Sequence, residues 1–470
     1  MRQATGRRWQ DLAIGEEASL TRRLTMHDIA AFAGISGDVN PAHMDEAWAR
    51  SGPFHGIVAH GAWTASLIST LLGTELPGPG TIYLRQDFRF TAPVRVGDEV
   101  RATVQVAGKP EDGRVLLACR VSGGEGDVLV GEAEVLAPRE ARAVDLPDLP
   151  ALLLPERGER LHALMAAPGG GAIPKIALIH PVSPRTLGPV LDRAEEGRAE
   201  LVLVGPRHRI EAAAADLGRP LGGARIEDVP HSHAAGARAA EMAGRGEADI
   251  LMKGDLHTSE VLAPVLDRAN RLRTERRVSH AYVMDAPAYH KLLIVTDAAV
   301  NVAPSLSQKA DILANAGALS RALGTPLPKA AILSAVETVE ETLPTTVEAA
   351  ALKVMADRGQ LGVLLADGPL AFDLAVSPEA VAAKRLRSAV AGDADILLAP
   401  DLEAGNILAK QLDHLGGAVA AGVVLGARVP IALTSRSEGA LPRKASLAVA
   451  ERLWRAAASA TEEADADAPG

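Results

Sequence analysis

Residues 56–74 read GIVAHGAWTASLISTLLGT, a stretch without a formal charge. Its length is near that needed to cross a bilayer. His60, Trp63, Thr64, Ser66, Ser69 and Thr70 make it too polar for hydrocarbon, and no anchoring charge clusters flank it. The reading is a helix hydrophobic nearly all round, buried inside a folded domain. Short alternating segments follow. Ile82, Leu84, Phe88 and Phe90 recur at even positions, with Tyr83, Arg85, Asp87 and Arg89 opposite. Val100, Ala102, Val104 and Val106 alternate in the same way, as do Val115, Leu117, Cys119 and Val121. Period two, with turns such as Glu111-Asp112-Gly113, predicts half-buried antiparallel strands. One buried helix and a run of strands make an α+β domain over residues 1–137, its sheet wrapped round the helix.

The rhythm changes further along. Residues 138–173 are broken by Pro147, Pro150, Pro155, Pro168 and Gly169-Gly170-Gly171. They read as a linker with one short helix near Glu159–Met165. Over residues 174–460 short apolar runs alternate with Ala- and Leu-rich helical segments. The runs are Ile176–Ile179, Leu201–Val204, Ile250–Met252, Ala281–Met284, Leu292–Val295, Ala331–Leu333, Val363–Leu365, Ile396–Leu398, Val423–Leu425 and Ile431–Leu433. Continuous apolar strands alternating with helices imply βαβ units and a parallel sheet covered on both faces. So many strands suggest two α/β lobes with a cleft, and functional groups just beyond strand C-termini. Residues 461–470 form an acidic, Ala-rich tail expected to fray.

Composition excludes several classes. Lys and Arg number 49 against 59 Asp and Glu, a net charge of −10, so nothing tracks a nucleic-acid backbone. Aromatic residues are 3% of the chain, too few for base-stacking platforms. One cysteine rules out a disulfide framework and thiolate metal clusters, and makes the cytoplasm the default compartment. Residues 1–15 lack an apolar core, so no secretory signal is expected.

The segment GDVNPAHMD at 37–45 holds the first chemical constellation. Asn40 suits an N-cap and Pro41 a first helical position. His43 then falls in the first turn and Asp38 on the entering loop, where backbone N–H groups are unpaired and the dipole is positive. A carboxylate and an imidazole so placed can converge on one water; equally, Asp38 can be a turn residue and His43 a surface one. GDVNPAHMDEAWA, FHGIVAHGAWTASLISTLLG and GPGTIYLRQDFRFTAPVRVGDEV resemble the MaoC-like (R)-specific enoyl-CoA hydratases over most of residues 8–137. The resemblance implies a hotdog fold. It makes Asp38 and His43 the catalytic pair, with Asn40 holding the loop. Ser69 matches a serine of the central helix, and Gly61, after His60, supplies the amide that polarises the thioester carbonyl. The implied reaction is reversible hydration of a trans-2-enoyl-CoA to an (R)-3-hydroxyacyl-CoA, with no cofactor.

In the second half, Lys253-Gly254-Asp255-Leu256-His257-Thr258-Ser259 links a strand to a helix, where Thr258 or Ser259 can cap and the helix N-terminus can hold an anion. No Walker A loop and no G-x-G-x-x-G after a strand is present. Asp401–Asn406 and Leu433-Thr434-Ser435-Arg436-Ser437 offer further polar strand ends, the latter with a guanidinium suited to a tetrahedral oxyanion. Each loop alone reads as a cap or a turn. ADILMKGDLHTSEVLAPVL, VTDAAVNVAPSLSQKADI, LADGPLAFDLAVS, AGDADILLAPDLEAGNILAKQL and VLGARVPIALTSRS resemble the phosphate acetyl/butyryltransferases over about 172–457. That resemblance implies a two-lobed αβα fold and acyl transfer between CoA and inorganic phosphate without a metal. Arg436 would bind phosphate and Ser435 would stabilise the oxyanion. Lys253, Gly254, His257, Thr258, Ser259, Asp367, Asp373, Glu403 and Asn406 would line the cleft. The acetyltransferase branch has an aspartate seven residues after the serine; here that position is Pro442, leaving Glu438 or another acid as the thiol base.

Together these readings predict a bifunctional CoA-thioester enzyme with acyl-CoA, CoA and phosphate as its partners, no nucleic acid, no membrane and no cofactor. A homodimer or higher assembly is expected. Two alternatives stay open: a non-catalytic acyl-CoA-binding second half, and a front half acting on acyl-carrier-protein thioesters. His231-Ser232-His233 has no third metal ligand nearby, and Cys119 reads as core.

Overall fold

A computed structural model of the chain describes residues 2–111, 113–124, 126–146, 157–167, 171–435 and 438–466. The chain divides into two compact units, Met1–Glu156 and Arg157–Gly470. Among the described residues no helix is long and apolar enough to cross a membrane.

The first unit contains β1 (Arg2–Thr5), β2 (Glu17–Arg23), α1 (Met26–Ser36), α2 (Pro41–Met44), α3 (Glu46–Ser51), α4 (Gly61–Thr74), β3 (Ile82–Phe90), β4 (Glu99–Gly108), β5 (Arg114–Gly123), β6 (Gly126–Leu136) and β7 (Ala143–Leu146). Five strands form an antiparallel sheet in the order β2-β4-β5-β6-β3, and β1 pairs with β7. The α+β hotdog expectation matches this helix and sheet. Trp63, Leu67, Ile68, Leu71 and Leu72 of α4 share one core with Val100, Ala102, Val104, Val106, Val115, Leu117, Cys119 and Val121. Burial pushes the Cys119 thiol up to about 12, so it stays protonated.

Two expectations need correcting. The helix α4 is not buried all round: Ala62, Ser66, Ser69 and Thr70 form an exposed stripe. Of the apolar even positions of β3, only Phe88 turns to the core. Its pairing with β6 jumps from Tyr83 to Arg85, so Leu84 is an extra residue. Such a bulge changes the phase of the alternation: Tyr83 faces the core before it and Phe88 after it, while Ile82, Leu84 and Phe90 are exposed.

The second unit contains α5 (Glu159–Ala166), β8 (Lys175–Ile179), α6 (Pro184–Glu195), β9 (Glu200–Gly205), α7 (Arg207–Leu217), β10 (Arg225–Asp228), α8 (Ser232–Gly244), β11 (Ile250–Lys253), α9 (Thr258–Leu266), β12 (Ser279–Asp285) and β13 (Leu293–Thr296). There follow α10 (Leu306–Ala322), β14 (Lys329–Leu333), α11 (Pro344–Asp357), β15 (Leu365–Leu370), α12 (Phe372–Val376), α13 (Pro378–Lys384), β16 (Ile396–Leu398), α14 (Leu402–His414), β17 (Val419–Leu425), β18 (Ile431–Ala432) and α15 (Ala440–Ala466). All eleven strands make one continuous sheet in the order β10-β9-β8-β11-β18-β17-β12-β13-β16-β14-β15. The lobes are therefore two halves of one sheet, and the division shows in the core. One face carries a single cluster under α5, α6, α7, α10, α11 and α15. The other face carries two clusters, one under α8 and α9 and one under α12 and α14.

The sheet is mixed, not parallel throughout. β17 is antiparallel to β18, β12 to β17 and β13 to β12. Three reversals in succession make β13 and its parallel neighbours β16, β14 and β15 run opposite to β18 and β11. The C-terminal ends of the two halves thus leave the sheet at opposite edges.

The segment 138–173 is not a plain connector. β7 belongs to the first unit, while α5 belongs to the second and buries Leu161 completely. Arg160 Nη1 donates to Asp285 Oδ1 at 2.6 Å, tying α5 to the end of β12. Pro147, Pro150, Pro155, Pro168, Gly169 and Gly170 lie outside the described residues. At the other end α15 runs through Ala466, so helix enters the segment expected to fray.

Candidate functional site

In the first unit, Gly37 ends α1 with φ of 76°, a left-handed turn that releases the chain toward Asp38. Asp38 Oδ1 accepts from the Asn40 N–H at 3.2 Å, and Asn40 Oδ1 accepts from the Ala42 N–H at 3.0 Å as the N-cap of α2. Pro41 follows at the first helical position, and His43 falls in the first turn. The local grammar of G-D-V-N-P-x-H is realised as read.

The His43 ring sits 2.7 Å from the Val58 carbonyl through Nδ1. A carbonyl only accepts, so Nδ1 carries the hydrogen and the neutral ring leaves Nε2 bare as a base. His60 is 2% exposed and meets the Asp38 carbonyl through Nε2 at 2.9 Å. By the same logic Nε2–H donates, while its buried Nδ1 has no partner among the described residues. The two imidazoles lie 3.9 Å apart between centroids, and Phe32 packs on His60 at 5.1 Å. His60 thus clamps the loop that bears Asp38 and backs the ring of His43. Sequence reading used it only to mark the start of α4.

Gly61 opens α4, where first-turn N–H groups have no intrahelical acceptor. A β-carbon there would come within 3.4 Å of the Phe90 ring, so glycine keeps the amide accessible beside that ring. Ser69 is exposed on the same helix, roughly 12 Å further along its axis. That distance prevents Ser69 from sharing one reacting atom with Gly61. Ligand atoms of Asp38, His43 and His60 all lie within 4.8 Å of one another, close enough to consider a cation. The stacked rings run side by side instead of converging, and each commits a nitrogen to a carbonyl. The trio suits proton handling better than a coordination sphere.

In the second unit the ends of β11 and β18 lie side by side. Lys253 is buried and donates from Nζ to the Thr434 carbonyl at 3.1 Å. Gly254 must be glycine for want of space: a β-carbon would lie 2.3 Å from the Ile179 carbonyl oxygen. Asp255 Oδ2 accepts from Thr186 Oγ1 at 2.7 Å and the Val182 N–H at 3.1 Å, fixing the loop after β8. His257 precedes α9, Thr258 and Ser259 occupy its first turn, and Glu260 Oε2 accepts from the His257 N–H at 2.6 Å. The other oxygen of Glu260 meets Ser232 Oγ at 2.5 Å and His233 Nδ1 at 3.0 Å, while His231 Nδ1 accepts from the Ala234 N–H. The His231-Ser232-His233 run is accounted for as a helix cap.

Ser435 is half-buried beyond β18; Arg436 lies outside the described residues. The structure adds Arg443, which sequence reading missed. Only 1% exposed, it donates from Nη1 to Thr434 Oγ1 at 3.0 Å and from Nη2 to the Ser435 carbonyl at 3.1 Å. Its fork fixes the strand end that carries Ser435. Burial lowers the Arg443 pKa, against the pull of Asp255 and Glu438. With Lys253, Arg443 makes this corner cationic.

Four predicted lining residues are not gathered here. Asp367 is a member of β15 itself and shares a register row with Ala331, Leu397, Val295, Tyr282, Gly422 and Leu433. Six strand spacings put it roughly 29 Å along the sheet from Leu433. Its Oδ1 accepts from the Gly368 N–H, a local turn. Asp373 is exposed in the first turn of nearby α12. Glu403 and Asn406 begin α14 at the opposite sheet edge, where Asn406 Nδ2 donates to the Ala298 carbonyl at 3.0 Å. The reversal of strand direction across β17, β12 and β13 is the physical reason: strand C-termini do not share one edge.

Both units match known families. A family model described as MaoC like domain matches residues 12–117, and one described as phosphate acetyl/butaryl transferase matches 233–441. The phosphate acetyltransferase of Rhizobium meliloti is 48% identical over 296 residues, 63% of this chain and 94% of that protein. A branched-chain phosphotransacylase from Enterococcus faecalis is 29% identical, with a TM-score of 0.54 covering 60% of this chain and 99% of that one. The R-hydratase PhaJ1 of Pseudomonas aeruginosa is 41% identical over 32% of this chain and 98% of its own, with a TM-score of 0.31. The chain belongs to the phosphate acetyl/butyryltransferase family and carries a MaoC-like domain ahead of that enzyme unit.

Proposed function

We propose that the first unit adds water reversibly to a trans-2-enoyl-CoA, giving an (R)-3-hydroxyacyl-CoA, and that the second exchanges an acyl group between CoA and inorganic phosphate. The observation that carries the first half is a ring nitrogen of His43 within 4.8 Å of a carboxylate oxygen of Asp38, with the imidazole held by the Val58 carbonyl and the carboxylate by the Asn40 N–H. In the reaction the two groups hold one water between them. Its oxygen bonds to the β-carbon, its proton passes to the pair, and the pair returns a proton to the α-carbon. The Gly61 amide faces the thioester oxygen as charge builds there. Ser69 contacts the ligand further along α4.

In the second unit, Lys253 and Arg443 draw anions to Ser435, which stabilises the oxyanion, and Arg436 takes the phosphate. Gly254, His257, Thr258 and Ser259 line the approach. Phosphate oxygen bonds to the acyl carbon as the carbon–sulfur bond breaks. Neither reaction needs a metal or a redox group, and a chain with one cysteine fits the cytoplasm. We further propose a homodimer of the first unit along β3. That strand is an edge with Ile82, Leu84 and Phe90 exposed, and a second copy would cover it.

Butyryl-CoA with and without phosphate, read by thiol release, tests the second activity. Phosphate-dependent release supports the transferase, whereas CoA binding without release marks a sensor. Crotonyl-CoA compared with crotonyl-carrier protein tests the first activity and its carrier.

A further inference from the structure

Acyl exchange with CoA moves a proton as well as an acyl group, because the free thiol is protonated near neutrality and the bound sulfur is not. The proton therefore needs an acceptor near Ser435. Two acids bear on the corner around Ser435, and one of them, Asp255, is committed to Thr186 Oγ1 and the Val182 N–H. Glu438 follows Ser435 by three residues, and its N–H donates back to the Ser435 carbonyl at 3.3 Å. This bond holds Glu438 beside the strand end. The side chain is nine-tenths buried, and its Oε2 has no hydrogen-bond partner among the described residues.

The groups that bear on Glu438 come from three elements. Lys410 and Asp413 reach it from α14, Tyr282 from β12 and Arg443 from its own side on α15. Tyr282 and α14 belong to one of the two clusters on the divided face of the sheet, whereas Leu433, two residues before Ser435, belongs to the other. Glu438 therefore sits at the seam between the lobes of the second unit. Burial of its carboxyl outweighs the two cations and raises its pKa. A buried acid with a bare oxygen costs stability unless it is used. The same bareness is what a general base requires.

We propose that Glu438 is the general base for the CoA thiol. This assignment rests on the acyl-transfer reading above. In the direction of thioester synthesis Glu438 Oε2 takes the S–H proton and the sulfur bonds to the acyl carbon. The carbon–oxygen bond to phosphate breaks, and phosphate leaves with its electron pair. In reverse, the protonated carboxyl returns the proton to the departing sulfur. No further reactant is required.

The test compares wild type, Glu438→Gln and Glu438→Asp in the full chain. Steady-state rates with butyryl phosphate and CoA are followed across pH, and CoA affinity is measured by calorimetry. Urea unfolding of the second unit in the same preparations reports intact folding, and hydration of crotonyl-CoA serves only to normalise the amount of protein. Glu438→Gln should lower kcat by about 10²- to 10⁴-fold, the usual contribution of a positioned base, with CoA affinity within threefold. The acid limb of the kcat profile should vanish in that variant and return, displaced, in Glu438→Asp. A glutamine variant within threefold of wild type, or one with an unaltered acid limb, overturns the base alone. A wild-type chain that makes no thioester from acyl phosphate overturns the acyl-transfer reading and the base with it.

Discussion

Replacing Arg443 by methionine probes how the second site is held together. The guanidinium makes two charge-assisted bonds, to Thr434 Oγ1 at 3.0 Å and to the Ser435 carbonyl at 3.1 Å. Each is worth about 1.5–3 kcal/mol, so their gross loss is about 3–6 kcal/mol. Methionine keeps much of the volume and removes a buried charge whose desolvation costs several kcal/mol. The net stability loss should therefore be small, about 0–3 kcal/mol. Catalysis should suffer more than stability. Without the fork, the Ser435 carbonyl loses one restraint, and a displacement of about 1 Å at a reacting group costs on the order of 10²-fold in rate. The assay is phosphate-dependent release of CoA from butyryl-CoA, resolved into kcat and KM, with melting temperature measured in parallel. We expect kcat to fall by about 10²-fold while the melting transition moves by only a few degrees. Arg443→Lys should recover little, because a compact ammonium lacks the planar fork whose two nitrogens reach the two oxygens separately. A methionine variant with kcat within twofold of wild type would refute the positioning argument.

Gly254→Ala forces a carbon to 2.3 Å from the Ile179 carbonyl oxygen, so unfolding of the second unit in urea should begin at lower concentration, by at least about 1–3 kcal/mol. An unchanged midpoint would show that the loop has room to give. His60→Phe keeps the stacking on His43 and loses the bond to the Asp38 carbonyl; hydration of crotonyl-CoA should slow by about tenfold or more at unchanged KM. A pure KM effect would contradict a role in holding Asp38. Glu438 has its pKa raised by burial, so the folded state binds its proton more tightly than the unfolded chain. That contribution to stability is full at low pH and is lost as pH climbs from the ordinary value of 4.5 through the raised folded value. Glu438→Gln should therefore melt above wild type at neutral pH and lose that advantage near pH 4, as differential scanning calorimetry would show.

What could be read from the sequence depends on the reach of each interaction. Asp38, Asn40, Pro41 and His43 form a local unit whose caps and turn lie within a few residues, so the motif discloses its own geometry. His60 acts on that unit through a carbonyl 22 positions away, and no local pattern records such a bond. Strand β3 was misphased because one bulge at Leu84 moves every later side chain to the other face. β10, with the sequence RIED, carries no apolar run that would mark it, because a short edge strand needs none. The direction of β12 and β17 was invisible for a different reason. Strands buried on both faces read as apolar runs whichever way they point. Apolar runs alone therefore bring Asp367 and Ser435 to one cleft, although six strand spacings separate β15 from β18. Arg443 sits inside a long helix where an arginine usually faces water, and only the folded contact with Thr434 reveals its place.

The most direct test of the account uses Asp38→Asn in the full chain, assayed side by side with wild type for hydration of crotonyl-CoA and for phosphate-dependent CoA release. Two independent activities on one polypeptide predict that the variant loses hydration and keeps release at the wild-type rate. Hydration that survives the substitution, or release that disappears with it, would contradict the account.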